Sequence, residues 1–174
     1  MPKIIENVRE RAVAEARAIL TGEGYGAMTM RRVADALGIA PATIYHYFPS
    51  KEHLAAGAML EDWQSLIGAF EAGQAGRSAD GTVRSLFELV RSFSDRYARS
   101  WNQYGGDDAS PIRRRYHAVL VDQLAGYICR SLTERQERAE PWLAAFLAEL
   151  VLRMGSDGGC TWQEIEPAVR KLLG

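Results

Sequence analysis

Cysteine, histidine and proline are scarce in this chain: two, three and six of them among 174 residues. Cys129 and Cys160 stand at no ligand-type spacing from His46, His53 or His117, so neither a metal site nor a disulfide framework is indicated, and both thiols are expected to pack. No apolar run approaches the roughly 18 to 20 residues of a bilayer-spanning helix. No basic segment leading into an apolar stretch opens the sequence. The expectation is a cytoplasmic protein without a membrane partner. An excess of one charge is missing too. With 21 basic and 22 acidic residues the formal charge is −1, so attraction to a polyanion has to come from local clustering. Residues 1–56 hold seven basic and six acidic side chains, whereas residues 57–174 hold 14 and 16. That balance predicts a few well-placed phosphate contacts if the chain meets nucleic acid.

What is present is a hydrophobic content of 47%, enough for a small head and a larger body. The densest information lies in residues 28–54. Thr29 is placed to cap a helix from Met30 to Leu37, its oxygen accepting from an amide that the first turn leaves unpaired. Val33, Ala34 and Leu37 share one face. Gly38 supplies the positive φ of a tight turn, and Ile39 can plug the angle beyond it. Pro41 suits the first position of the next helix, and Pro49 stops it.

On that second short helix, Ile44 and Phe48 fall together at helical spacing and look inward, while Ala42, Thr43, His46 and Tyr47 fall on the opposite side with Tyr45 on the flank. Two small residues beside hydroxyl, imidazole and phenol groups make a surface that can approach a major groove closely. Arg31, Arg32 and Lys51 flank it. Lys51 follows Ser50, the expected cap of the next helix, so a phosphate there would meet backbone amides as well as an ammonium. As core aromatics alone, Tyr45, Tyr47 and Phe48 would not explain why one side lacks large aliphatics.

In order and spacing, Thr29, Val33, Ala34, Leu37, Gly38, Ile39, Thr43, Ile44, Tyr45, Tyr47, Phe48, Ser50, Lys51, Glu52 and Leu54 resemble the TetR family of bacterial transcriptional regulators. The resemblance covers roughly the first third of the chain. It implies an all-α homodimer with two DNA-reading heads and a ligand-responsive body, usually a repressor relieved by a small molecule. By the same match Thr43, Tyr45, His46, Tyr47 and Lys51 fall where the family contacts DNA, and Thr29 and Arg31 where it often touches phosphate. Ala40 departs from the pattern, since the family often has a capping Ser or Thr there. That loss costs about 1 kcal/mol, partly offset by Pro41.

The remaining sequence reads as helices. Ile5, Val8, Ala12, Ala16, Ile19 and Leu20 form a stripe on an opening helix that ends near Gly22 and Gly24, with Tyr25 packing under it. From Ser50 a longer helix carries Leu54, Met59, Trp63, Leu66, Ile67 and Phe70 toward a Gly- and Ser-containing stretch at 73–81, leaving the head and entering the body. Val83, Leu86, Phe87, Val90, Phe93, Tyr97 and Trp101 pattern a further helix that breaks at 105–108. Ser110 and Pro111 start the next, with Ile112, Tyr116, Leu120, Leu124, Tyr127 and Ile128. An effector pocket is expected among Trp63, Phe87, Phe93, Tyr97, Trp101 and Tyr116, although such stripes are also what a plain core looks like. Arg113, Arg114 and Arg115 with His117 could hold an acidic group, or form a solvated face. Between Trp142 and Met154 only Glu149 and Arg153 are charged, so that helix needs cover on more than one side. A dimer interface is expected over Trp142, Phe146, Leu150, Val151 and Met154, joined by Trp162, Ile165 and Val169 of a last helix that Pro167 would kink.

The resulting expectation is an all-α protein, with a three-helix helix-turn-helix DNA-binding domain at 1–49 and a helical effector-binding and dimerisation domain at 50–174. Its partners would be a double-stranded DNA operator, a small-molecule effector and a second copy of itself, with no cofactor and no metal. Two rival classes stand beside it. One is a helical protein that senses ligand or partner without DNA. The other is an enzyme using His117 with Asp107 or Asp108, which no nucleophile motif or phosphate-cradling loop accompanies.

Overall fold

A computed structural model describes residues 7–73, 78–100, 111–134 and 140–174, with side chains from residue 114 in the third segment. Among the described residues the regular structure is helical, with no strand. Ile5, Trp101 and the 105–108 break lie outside them.

The chain divides into two compact units: Met1–Gln64 with Arg96–Asp108, and Ser65–Asp95 with Ala109–Gly174. In the first, α1 (Val8–Gly22) buries Val8, Ala12, Val13, Ala16, Ile19 and Leu20. A single 3-10 turn (Tyr25–Ala27) leads into α2 (Met30–Leu37) and α3 (Pro41–Tyr47), and α4 (Lys51–Ala72) follows. α1 packs against both α2 and α3. Its apolar stripe meets Met30, Val33, Ala34 and Leu37 of α2 and Ile44 of α3, all buried. Gly57 matters here because a Cβ would stand 3.3 Å from the Phe48 ring. Its absence lets α4 lie close against the residue that ends α3.

The second unit contains α5 (Ala79–Arg96, up to Asp95), α6 (Pro111–Glu134), α7 (Pro141–Ser156) and α8 (Trp162–Leu173). α5 begins inside the 73–81 stretch because Ser78 caps it, its Oγ accepting the Gly81 N–H at 3.2 Å. α6 and α7 pack along each other, and Leu124, Ile128 and Leu132 of the one and Leu143, Leu147 and Val151 of the other are buried. α8 runs on through Pro167. At its start, the Thr161 N–H and hydroxyl both donate to Glu164 Oε2, at 2.7 and 2.9 Å, which holds that carboxyl below the usual glutamate range. Cys160 is buried and Cys129 half-buried, neither in a disulfide. No described helix is long and apolar enough to cross a membrane.

Candidate nucleic-acid interface

Local chemistry sets up α2 and α3. Thr29, in extended backbone, accepts the Arg32 N–H on its Oγ1 at 3.0 Å, which leaves its own hydroxyl hydrogen out of that bond. Gly38 closes α2 at φ 70°, ψ 33°, and the Ile39 N–H donates to the Ala34 carbonyl at 3.0 Å. That is a Schellman closure, which needs a left-handed residue. α3 starts with no side-chain cap at Ala40 and with Pro41 in its first turn. Phe48 ends it, its N–H donating to the Ile44 carbonyl at 2.9 Å.

The faces of α3 separate sharply. Ile44 is 0% exposed and Phe48 5%, whereas Tyr45 is 53% and Tyr47 44% exposed. Ala42 and His46 are exposed as well, and Thr43 is half-buried. His46 and Tyr47 lie edge to face with centroids 5.3 Å apart. One turn-linked surface therefore offers a methyl group, a hydroxyl, an imidazole and two phenols to solvent.

The flanking cations differ from one another. Arg31 is highly exposed, with only a loose 3.8 Å approach to Asp35. Arg32 is committed elsewhere: its guanidinium donates to Glu23 at 2.9 Å through Nη1, pairs with the other oxygen through Nη2, and also reaches the Ala27 carbonyl at 3.3 Å. This pairing pulls the Glu23 carboxyl below its usual pKa and makes Arg32 a pin between the end of α1 and α2. Lys51, first residue of α4, puts its ammonium 4.0 Å from the centre of the Tyr25 ring. Burial pushes its pKa below the ordinary lysine value. Beside it Ser50 caps α4, its Oγ 2.8 Å from His53 Nδ1 and 3.4 Å from the His53 N–H.

Trp63 and Tyr97 are buried in the first unit, while Phe87 and Phe93 are buried in the second, where Tyr116 is half-buried. Trp101 is outside the described residues. The Tyr97 hydroxyl donates to Asp62, and Phe87 lies 5.8 Å from Trp162. Of the residues expected at a dimer interface, Trp142 is 64% and Phe146 51% exposed, Leu150 and Met154 are half-buried, and Val151, Trp162, Ile165 and Val169 are buried within the protomer. His117 pairs with Glu149 at 3.2 Å, and Arg114 and Arg115 are exposed.

Sequence reasoning missed Asp62, a buried carboxylate shared by Arg17, Arg96 and Tyr97. The signal was there: Asp62 follows Leu54 and Ala58 at four-residue spacing, a charge on an inward face. It also read Tyr25 only as packing, and it placed Arg32 beside the reading surface without its partner Glu23.

A capped α2, a left-handed glycine and a short α3 with one face buried and the other bare define a helix-turn-helix head. Residues 12–58 match the profile of bacterial regulatory proteins of the tetR family. The HTH-type transcriptional repressor KstR of Mycobacterium tuberculosis is 45% identical over 58 residues, 33% of this chain and 26% of that protein. The HTH-type transcriptional regulator UidR of Escherichia coli is 32% identical over 83 residues, 47% of this chain and 42% of that one. The alignments thus span from a quarter to under half of these curated relatives. In fold, the likeness extends further: the crystal structure of RolR without ligand superimposes with a TM-score of 0.70 at 19% identity, covering 95% of this chain and 90% of that one. Residues 12–58 are therefore similar in sequence to the DNA-binding head of the tetR family of bacterial regulatory proteins, and the likeness of the rest of the chain is one of fold.

Proposed function

We propose that this chain binds a near-palindromic duplex operator as a homodimer, represses transcription there, and is released when a small apolar or aromatic effector binds its body. The carrying observation is the division of α3, where Ile44 and Phe48 are sealed inside while Tyr45 and Tyr47 stand about half exposed. Thr43, His46 and the methyl of Ala42 read base edges, and Thr29, Arg31, Tyr45, Tyr47 and Lys51 hold backbone phosphates. Residues 1–49 act as the reading head and 50–174 as the body. Two heads would enter successive major grooves roughly 34 to 36 Å apart, or a multiple of that. α4 belongs to both parts of the chain, so an effector that favours one position of its far end also biases the aim of Tyr45 and Lys51.

The exposed Trp142 and Phe146 support α7 as part of the dimer surface, with Leu150 and Met154 beside them and Val151, Trp162, Ile165 and Val169 as its backing. The effector contacts of this reading lie among the aromatic residues of the second unit, Phe87, Phe93 and Tyr116. In this reading the protein is cytoplasmic, is no enzyme and uses no cofactor; its curated relatives are named as repressors and regulators.

Fluorescence anisotropy against duplexes tiled over the chain's own upstream region tests the reading. One tile should bind far more tightly than random duplex of equal length. Thr43→Ala and His46→Ala should narrow that preference, while Tyr45→Ala with Lys51→Ala should weaken binding to every sequence. Full affinity in the Tyr45/Lys51 double variant, or no preference for any tile or for sites selected from random sequence, would overturn it.

A further inference from the structure

We propose that Tyr25 is a positioning residue: its ring face holds the Lys51 ammonium in the one place from which it meets an operator phosphate. The inference rests on the DNA-binding reading above and adds to it a residue that lies on neither reading helix.

A lysine ammonium ends a flexible four-carbon stem, and an exposed one samples many positions before it contacts a phosphate. Lys51 is different because Nζ sits 4.0 Å from the Tyr25 ring centroid, over the negative face of the π-system. The stack uses one side of the ammonium. The remaining N–H donors are left to point away from the ring. Lys51 is also half-buried, and desolvation lowers its pKa, so the contact is drier than a surface pair.

The platform under the lysine is itself braced. Gly24 takes φ 92°, a conformation that side-chain-bearing residues avoid, and turns the chain into the Tyr25–Ala27 turn. On one side of that turn Glu23 is forked by Arg32, and on the other the Ala27 carbonyl accepts from the same guanidinium at 3.3 Å. The Met28 N–H closes the turn on the Tyr25 carbonyl at 3.2 Å, and Arg99 donates to the Gly22 carbonyl just before it. Arg32 therefore serves the interface indirectly, by fixing the turn that carries the ring. The Tyr25 turn and the start of α4, far apart in sequence, are joined through one cation and one ring.

The test uses the full chain and the best-binding tile from its upstream region, with Tyr25→Ala, Tyr25→Leu, Tyr25→Phe, Lys51→Met and the Tyr25→Leu/Lys51→Met pair. Leucine keeps apolar bulk and lacks the π face; phenylalanine keeps the face. Tyr25→Leu should weaken binding about threefold to fivefold, and Tyr25→Phe should stay within about twofold of the parent. Lys51→Met should lower the slope of log K against log salt by about one. In the Lys51→Met background Tyr25→Leu should have no further effect. In the free protein, ring-current shifts of the Lys51 Cε protons should persist in Tyr25→Phe and vanish in Tyr25→Leu, which reports the stack even if Tyr25→Ala unfolds. Additive losses in the pair, or a Tyr25→Leu variant that binds like the parent, would overturn the role of Tyr25 while leaving DNA binding intact. If the parent protein itself prefers no tile, the DNA-binding reading fails, and this inference fails with it.

Discussion

Tyr97 donates its hydroxyl to Asp62 Oδ2 at 2.8 Å, on the same carboxylate oxygen that Arg96 reaches at 3.1 Å. The other oxygen faces Arg17 Nε of α1 at 2.6 Å. Arg17 also pairs with Glu61 at 3.0 Å. One buried acid of α4 thus joins the first helix of the reading head to the end of α5, all inside the first unit. A carboxylate only 8% exposed tolerates burial because Tyr97 and Arg96 donate to it and the Arg17 guanidinium stands against it as a counter-charge.

Asp62→Ala leaves the Tyr97 hydroxyl without its acceptor and strands two guanidinium groups. Breaking a fully buried ion pair costs roughly 3 to 5 kcal/mol, and the figure expected here is the lower end, about 3, because solvent can rescue part of each arginine. The Arg17 and Arg96 side chains are 34% and 44% exposed. Asp62→Asn, which keeps an acceptor for Tyr97, should cost less. Urea titrations of the three proteins check the order; an Asp62→Ala variant as stable as the parent would remove the hub from the account.

Alkaline pH should act through Tyr97. Burial first, then the hydrogen bond to Asp62 and the charge of Asp62, push its pKa above the ordinary tyrosine value, against the opposing pull of Arg17 and Arg96. The protonated form is therefore favoured by folding. Its contribution is complete below about pH 10, where an unfolded tyrosine titrates, and is lost as pH rises from there toward the folded value. Tyr127 has the same sign, raised by burial and then by its bond to Glu71. The stability gap between the parent and Tyr97→Phe should hold steady below about pH 10 and narrow as pH rises above it in denaturant titrations. A constant gap would contradict the assignment.

Thr29→Ala removes the oxygen that accepts the Arg32 N–H at 3.0 Å. The expected loss is about 1 kcal/mol of stability, typical of a vacated N-cap. Because Arg32 also pins the Tyr25 turn, the damage should be visible in amide exchange at α2 and at Tyr25–Ala27 before it appears in α5 to α8. Uniform exchange changes across the chain would argue against a local cap.

Gly155 lets α7 lie close against α5. A Cβ there would stand 2.8 Å from Val90 Cγ1 and 3.3 Å from the Phe87 carbonyl oxygen. Gly155→Ala should cost roughly 1 to 3 kcal/mol by overpacking, and Gly155→Ala with Val90→Ala should recover part of it. A double variant no better than the single one would place the strain elsewhere.

The head was legible because its signals are local. A capping Thr29, a turn at Gly38, Pro41 and the opposed faces of α3 each act within a few residues, and all stand where the spacing put them. The burial of Ile44 beside the exposure of Tyr45 needs only helical periodicity. Partners distant in sequence were a different matter. Arg32 and Lys51 are equally basic on paper, yet one is forked by Glu23 and the other rests on Tyr25. Composition carries no information about which acid or ring arrives next to a long, flexible cation.

The same contrast holds in the body. Periodicity set Phe87, Phe93 and Tyr97 on one apolar stripe, and all three are buried. Whether a ring meets another ring, a carboxylate or an effector depends on which helix crosses which. Trp142 and Phe146 share the apolar character of Leu143 and Leu147 in one continuous run, and only the packing of α7 on α6 decides that the first pair faces solvent in the protomer. The amino-acid order by itself determined the helices, their caps and the family of the head, because those follow from backbone geometry and neighbours three or four residues away. The tertiary structure alone decided the Asp62 hub, the Arg32 pin and the Tyr25 platform, because each joins side chains that meet only after chain segments distant in sequence have packed together.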